Sequence, residues 1–191
     1  MRKLVFATHN RHKTDEVAAM LKGRFEVVNL TDIGFHDEID ETGETFEENA
    51  SLKSRAVYAR FGLDCFADDS GLEIDALGGR PGVYSARFAG AHGDHEANIR
   101  KVLSELGNKD QRAARFRTVI SLLLNGEETY FEGIAEGSIR REKSGSEGFG
   151  YDPIFEPEGY SITFAEMPME EKNRISHRAK AIEKMVAALD A

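Results

Sequence analysis

The sequence predicts an α/β fold with a mixed β-sheet, and two features of the chain carry this prediction. Strand-like and helix-like segments alternate over residues 3–67 in the order β-α-β-α-β, which is typical of parallel strands joined by helices. Further along, Asn125-Gly126 separates two strand-like runs, a combination that indicates an antiparallel hairpin. A sheet that contains both kinds of pairing follows from the two patterns together.

Hydrophobic spacing sets the bounds of the elements in the alternating part. Three apolar runs predict strands, and two stretches with apolar residues at helical spacing predict helices. The predicted strands are Lys3–Thr8, Phe25–Asn29 and Leu63–Ala67, and the predicted helices are Arg11–Leu21 and Thr45–Phe61.

The rest of the chain is predicted from the same signals. A helix is marked by Ala97, Val102, Leu103 and Leu106, and the strands of the hairpin are Phe116–Leu124 and Thr129–Ala135. Ser176 is the expected N-cap of a last helix that runs through Leu189. No internal repeat or linker interrupts residues 1–191, so we expect one domain.

Composition excludes several classes of protein. A net charge of −9 argues against a nucleic-acid binder, since such proteins carry basic patches that displace counterions from phosphates. The apolar stretch Leu4–Ala7 is too short for a signal peptide, and no later run approaches membrane-spanning length. The single cysteine, Cys65, cannot form an intrachain disulfide, which agrees with a reducing compartment. We therefore expect a cytoplasmic protein without a membrane partner.

Several segments could bind a phosphorylated ligand. Residues 8–13, Thr8-His9-Asn10-Arg11-His12-Lys13, follow a predicted strand and open a helix, where backbone N–H groups and the helix dipole favour anions. Asn10 could equally be a simple helix cap, with Lys13 in solvent. Residues 38–43 form an acidic loop that could reach magnesium, although acidic residues before a helix also serve the dipole alone.

Two further segments carry chemistry. Asp68 and Asp69 are expected at the end of an apolar strand, where open α/β sheets place ligands, although Asp-Asp-Ser-Gly is also a good turn sequence. Residues 145–153 form a glycine-rich loop in which an aromatic ring could stack on a base, unless it is only a mobile surface loop. The histidine pairs at 9/12 and 92/95 lack the partners of a zinc site.

Taken together, the motifs resemble the inosine triphosphate pyrophosphatase family, in order and along nearly the whole chain. They are Thr8-x-Asn10-x-x-Lys13, Glu41-Thr42-Gly43 with Phe46 and Asn49, Ala67-Asp68-Asp69-Ser70-Gly71-Leu72, Leu77-Gly78-Gly79-x-Pro81-Gly82-x-Tyr84-Ser85-Ala86-Arg87, Gly148-Phe149-Gly150-Tyr151-Asp152-Pro153 and Ile175-Ser176-His177-Arg178. The resemblance implies an enzyme that removes ITP, dITP and XTP, uses Mg²⁺ and forms homodimers. It also implies two lobes around an extended, twisted mixed β-sheet flanked by helices, with the active-site cleft between the lobes.

Residue roles are implied by the same resemblance. Asp69 would be the catalytic general base and a metal ligand, with Asp40 as the second ligand and Glu41 as the other candidate for that place. The residues implied to bind substrate are Thr8, His9, Asn10, Arg11, His12, Lys13, Ser70, Phe149, Gly150, Tyr151, Asp152, Lys172, His177 and Arg178.

The expected reaction is attack of an activated water on the α-phosphorus, with pyrophosphate as the leaving group. Arg178 is expected to read the purine O6 and N7, which would exclude adenine because adenine presents an amino donor at position six. Two alternatives stay open: a non-catalytic nucleotide sensor with the same pocket, and a phosphatase that releases orthophosphate. Asp69 argues against the sensor, and the absence of an Asp-x-Asp pattern at Asp68-Asp69-Ser70 argues against one large phosphatase class.

Overall fold

A computed structural model describes all 191 residues and has the predicted α/β architecture. The strands are β1 (Arg2–Phe6), β2 (Phe25–Val28), β3 (Cys65–Ile74), β4 (Ala113–Leu124), β5 (Glu127–Ile139) and β6 (Phe155–Pro157). The helices are α1 (Arg11–Met20), α2 (Phe46–Phe61), α3 (His95–Leu106), α4 (Met169–Ile175) and α5 (His177–Leu189). Short 3₁₀ turns cover Asp75–Leu77, Gly82–Arg87, Asp152–Ile154 and Phe164–Glu166.

The six strands form one mixed sheet in the order β2-β1-β3-β4-β5-β6. β1 pairs in parallel with β2 and β3, as the alternating pattern predicts, whereas β5 pairs antiparallel with β6. Asn125 and Gly126 join β4 to β5 with φ values of 51° and 85°, the left-handed backbone that two-residue hairpins require. The mixed sheet predicted from the sequence is therefore confirmed.

The chain folds into two compact units. The first contains residues 1–69, 118–133 and 178–191, and the second contains residues 70–117 and 134–177. β3, β4 and β5 each contribute residues to both units.

In the first unit, helices cover both faces of the sheet. Leu4 and Phe6 of β1 pack into a core with α1 and α5, and Phe6 stacks on Phe66 with ring centroids 4.4 Å apart. Val5 and Ala7 pack on the opposite face in a core with Val57 of α2. Successive side chains of a strand point to opposite faces of the sheet. Because both faces are buried here, β1 is a continuous run of apolar residues.

The second unit has its own core around Phe116, Phe155 and Phe164. The rings of Phe116 and Phe155 lie 4.5 Å apart, and α3 contributes Ile99 and Val102 to the same cluster. Each fully buried side chain of this size stabilises the fold by about 1.5–3 kcal/mol through its removal from water.

Several elements differ from the sequence predictions, which did not include the three-residue strand β6. Asp68 and Asp69 were expected at the end of a strand, but β3 continues through them to Ile74, because Leu72 and Ile74 resume the apolar alternation in the second core. α3 contains the four residues that predicted it and begins at His95, since Asp94 caps it by accepting from the Ala97 N–H. The seven-residue α4 was missed. The predicted last helix does begin directly after Ser176, and no helix is long and apolar enough to span a membrane.

Candidate active site

Strand alternation gives the two adjacent carboxylates of β3 different surroundings. Asp68 is 1% exposed and Asp69 is 5% exposed. The Oδ1 atom of Asp68 accepts from Lys13 Nζ at 3.1 Å, and Oδ2 accepts from Arg178 Nε at 3.3 Å. Asp69 instead accepts at Oδ2 from the side-chain amide of Asn49 at 3.1 Å. Asp68 therefore holds two cations, while Asp69 faces a neutral amide.

The segment predicted to bind phosphate does lie between a strand and a helix. Asn10 is the N-cap of α1, and its side chain accepts from the Lys13 N–H at 3.1 Å. Thr8 Oγ1 accepts from the Asn10 N–H, and a ring nitrogen of His9 lies 3.1 Å from the Asp37 carbonyl oxygen. Arg11 and His12 are exposed in the first turn. Asn10 is thus the helix cap, and its hydrogen bond fixes the backbone of Lys13 in the first turn of α1.

Lys53 belongs to the same cluster, although the sequence analysis did not single it out. It is buried on α2, where its Nζ donates to Glu41 Oε1 at 3.0 Å and to the Asp68 carbonyl oxygen at 2.5 Å. The sequence did contain a sign of this role. Lys53 lies one helical turn from Asn49 and one from Val57, so it falls on the buried face of α2. A lysine in a buried stripe requires partners of opposite charge.

In the acidic loop, Glu41 is the carboxylate that joins this cluster. Its contact with Lys53 holds it there half-buried, whereas Asp40 is exposed. Asn49 fastens the loop, since its Oδ1 accepts from the Gly43 N–H at 2.8 Å while its amide group donates to Asp69. A Cβ on Gly43 would lie 2.6 Å from Glu48 Cβ, so the close approach of the loop to α2 requires glycine.

The electrostatics of the cluster single out Asp69. Burial raises the pKa of Asp69 to about 6; Glu41 adds to the shift, while Lys53 and Lys13 oppose it. Burial likewise lowers the pKa of Lys13 despite the attraction of Asp68. For Lys53, burial is the largest influence and lowers the pKa, but Glu41, Asp69 and Asp68 together outweigh it and raise the pKa above its usual range. A carboxyl group with a pKa near neutrality suits proton transfer.

The cluster also contains two carboxylates, Asp69 and Glu41, that could be ligands of a metal ion. No group of three or more His, Cys, Asp or Glu side chains is arranged to hold a metal alone. Asn49 links the acidic loop that carries Glu41 to Asp69, since its Oδ1 accepts from the Gly43 N–H and its amide group donates to Asp69, and Glu41 also raises the pKa of Asp69. Mg²⁺ is usually held by one or two carboxylates together with substrate phosphates and water, so two carboxylates fit this ion.

Arg178 lies in the first unit and is 2% exposed. Besides its contact with Asp68, its Nη1 donates to Glu16 Oε2 at 2.7 Å. Glu16 is a buried residue of α1 that the sequence analysis did not select. Burial lowers the pKa of Arg178, but the carboxylates of Asp68 and Glu16 outweigh that effect and raise it above its usual value.

The glycine-rich loop belongs to the second unit and is shaped by Asp152. Its Oδ2 accepts from the Phe149 N–H at 3.1 Å and from Lys172 Nζ at 2.7 Å, and both members of the Lys172–Asp152 ion pair are buried. Lys172 Nζ also lies 5.2 Å from the centre of the Phe149 ring. Gly148 has φ +71°, and a Cβ there would lie 2.1 Å from Asp152 Oδ2. The loop is therefore anchored, and Gly148 is required in it.

Other predicted binding residues of this unit are fixed by packing. The ring of His177 stacks on Phe116 with centroids 4.8 Å apart, and Tyr151 donates its hydroxyl to the Ser85 carbonyl oxygen at 2.6 Å. Burial raises the pKa of the Tyr151 hydroxyl, which keeps it protonated as a donor. Ser70 and Gly150 are half-buried.

Comparison with known proteins gives full-length matches. The family model described as the Ham1 family matches residues 4–188. The chain is 50% identical to a dITP/XTP pyrophosphatase of Christiangramia forsetii, with 98% of each chain covered, and 51% identical to one of Bacillus subtilis, with 100% of this chain and 98% of the relative covered. These matches confirm the resemblance drawn from the motifs.

Solved structures agree with the sequence relatives. The Staphylococcus aureus Ham1 protein superposes with a TM-score of 0.88 at 41% identity, covering 99% of this chain and 98% of that one. A HAM1 protein from Coxiella burnetii gives 0.89 at 40% identity, covering 100% and 99%. The fold, the site motifs and the full-length matches agree, and the chain belongs to the Ham1 family.

Proposed function

We propose that this protein hydrolyses the non-standard purine nucleoside triphosphates ITP, dITP and XTP to the monophosphate and pyrophosphate. The observation that carries the proposal is Asp69, a buried carboxyl group with a pKa of about 6 that shares a cluster with Lys13 and Lys53. The curated relatives named dITP/XTP pyrophosphatases, about half identical over nearly the whole chain, support the substrate class.

The phosphates bind to the segment Thr8–Lys13 and to Lys53 in this proposal. Lys13 and Lys53 would bring two ammonium groups to the phosphates, although each is already paired with a carboxylate of the cluster, Asp68 and Glu41 respectively. Mg²⁺ held by Asp69 and Glu41 would neutralise the phosphate oxygens and the charge of the leaving group. We favour Glu41 over Asp40 as the second ligand because Lys53 holds Glu41 in the cluster and Asp40 is exposed.

The chemical step is carried by Asp69. Its carboxylate accepts a proton from a water molecule as the water oxygen bonds to the α-phosphorus. The bond between the α-phosphorus and the oxygen that bridges to the β-phosphate breaks, and pyrophosphate leaves. Lys13 and Lys53 stabilise the charge that develops on the phosphate oxygens, and such fixed charges usually contribute most to phosphoryl transfer.

The purine binds to Phe149, Lys172, His177 and Arg178, with Ser70, Gly150, Tyr151 and Asp152 completing the set of contacts. A guanidinium or ammonium group donates to a carbonyl at purine position six, whereas adenine presents a donor there. A site built on such hydrogen bonds rejects the wrong base by roughly 10⁴–10⁵, since buried groups lose their partners. We therefore expect ATP to be a poor substrate.

A product assay tests the proposal. Purified protein with Mg²⁺ is given ITP, ATP or GTP, and pyrophosphate and orthophosphate are measured separately. We expect pyrophosphate and IMP from ITP, with ATP and GTP largely spared. Orthophosphate as the direct product would favour the phosphatase, and tight binding of ITP without turnover would favour the sensor.

Two further properties complete the proposal. We propose that the enzyme acts in the cytoplasm and as a homodimer, as the family resemblance implies. Analytical ultracentrifugation at micromolar concentration measures the oligomeric state, and a monomer of 21.2 kDa would contradict the dimer.

A further inference from the structure

Glu16 is a buried carboxylate for which the proposed reaction has no direct use. It lies on α1 with 4% of its surface exposed, three residues after Lys13 and directly before the core residue Val17. A buried carboxylate is strongly destabilising unless it is paired, so its position requires a cation. That cation is Arg178, whose Nη1 lies 2.7 Å from Glu16 Oε2.

The Glu16–Arg178 contact belongs to a chain of alternating charges. Arg178 donates through Nε to Asp68, and the other oxygen of Asp68 accepts from Lys13. Two carboxylates thus contact two different nitrogens of one guanidinium. Because a guanidinium is a rigid plane, contacts at two of its nitrogens set both its position and its orientation.

We propose that Glu16 is a positioning residue for Arg178, which orients the guanidinium for contact with the purine. The inference rests on the proposed role of Arg178 in base binding. Glu16 acts through its contact with Arg178. Its loss therefore weakens purine contact in the ground state and in the transition state alike, which raises KM and leaves kcat nearly unchanged.

A matched pair of variants tests this role. Glu16→Gln removes the charge and keeps the size of the side chain. Glu128→Gln is the control, because Glu128 also lies in the first unit and also accepts from an arginine, with Arg55 Nε at 2.9 Å, while its other hydrogen bonds are to Ser51 and Ser121. Both variants are compared by thermal melting, by KM and kcat for ITP, and by the Kd of an ITP analogue with a non-hydrolysable α,β-bridge.

For Glu16→Gln we expect KM and Kd to rise about tenfold, which corresponds to about 1.4 kcal/mol of binding free energy, since the amide keeps a hydrogen bond to Arg178 but loses the attraction between opposite charges. Glu128→Gln lowers the melting temperature without a change in either constant. A purely structural role for Glu16 would lower the active fraction, and so kcat, at unchanged KM. Equal Kd values for Glu16→Gln and Glu128→Gln would overturn the inference.

If Glu16→Gln folds poorly, a double-mutant cycle with Arg178→Lys still tests the inference, because it compares the effect of Glu16→Gln in the presence and in the absence of the Arg178 guanidinium. If Glu16 acts through Arg178, Glu16→Gln adds less than a twofold loss of affinity in the Arg178→Lys background. Fully additive losses would overturn the inference. Failure of the proposed reaction is recognised separately: wild-type protein would then bind the analogue without releasing pyrophosphate from ITP, and the Kd values would still test Glu16.

Discussion

Replacement of Asp69 by asparagine should abolish turnover and at the same time stabilise the fold. Asp69 carries a charge at neutral pH although it is buried, and this burial raises its pKa from 3.8 to about 6. Asparagine has nearly the same size, carries no charge and can still accept from the amide of Asn49 through its oxygen. The variant therefore removes the penalty of a buried charge and keeps the hydrogen bond.

The size of the effect follows from linkage between protonation and folding. The folded state binds the proton more tightly than the unfolded state, so Asp69 reduces stability as the pH rises through the interval from about 4 to about 6. A shift of about two pKa units corresponds to about 3 kcal/mol at pH 7.5, and about half of that is present at pH 5. In a chain of this size, 3 kcal/mol corresponds to roughly 6–12 °C in melting temperature.

Thermal unfolding of wild type and Asp69→Asn, with EDTA present, measures this effect at pH 5 and pH 7.5. We expect the variant to melt at the higher temperature, with the larger difference at pH 7.5, and to release no pyrophosphate from ITP in the presence of Mg²⁺. A stability difference that stays constant between the two pH values would refute the reasoning, because the gain would then not come from the charge of Asp69. Full turnover by the variant would refute its assignment as the base.

Other variants test other parts of the site. Lys53→Met should lower kcat/KM for ITP by about 10²–10³, the usual loss when one stabilising group is removed from an active site, and a pyrophosphate assay measures it. Gly148→Ala should cost about 1–3 kcal/mol in a denaturant melt, since its Cβ meets Asp152 Oδ2, and Gly150→Ala, with φ +61° and nothing within 4 Å, should cost less. Arg178→Ala should lose most of the preference for ITP over ATP; unchanged kinetics with both nucleotides would contradict base reading by Arg178.

Much of the fold could be predicted because local patterns and tertiary structure agree in it. The apolar runs of β1 and β2 and the Asn125-Gly126 turn each have one favourable conformation, and the structure adopts it. β3 was cut short in the prediction because Asp68-Asp69-Ser70-Gly71 resembles a turn. Strand pairing overrides that local preference, since the side chains that follow, Leu72 and Ile74, are fully buried in the second core.

The sequence revealed less of the site than of the fold. Motif order selected the segment Thr8–Lys13, Asp69 and the glycine-rich loop as candidates, but it could not reveal Lys53 or Glu16 as members of a buried network. Both side chains lie on helix faces where charge is normally avoided, and their partners are at least 12 residues away along the chain. A charged residue in a buried helical stripe is a sign of such a network, but only the tertiary structure identifies its partner.

The charges of the first-unit cluster explain why a polyanion should need a metal there. The buried or half-buried charged side chains of this cluster are Lys13, Lys53, Arg178, Glu16, Glu41, Asp68 and Asp69, four acids against three bases. Asp68 and Glu16 already neutralise much of the charge of Lys13 and Arg178. A triphosphate beside Asp69 and Glu41 therefore meets more negative charge than the lysines offset, at several kcal/mol per close pair of like charges. A divalent cation bound by Asp69 and Glu41, as we propose, would reverse that balance.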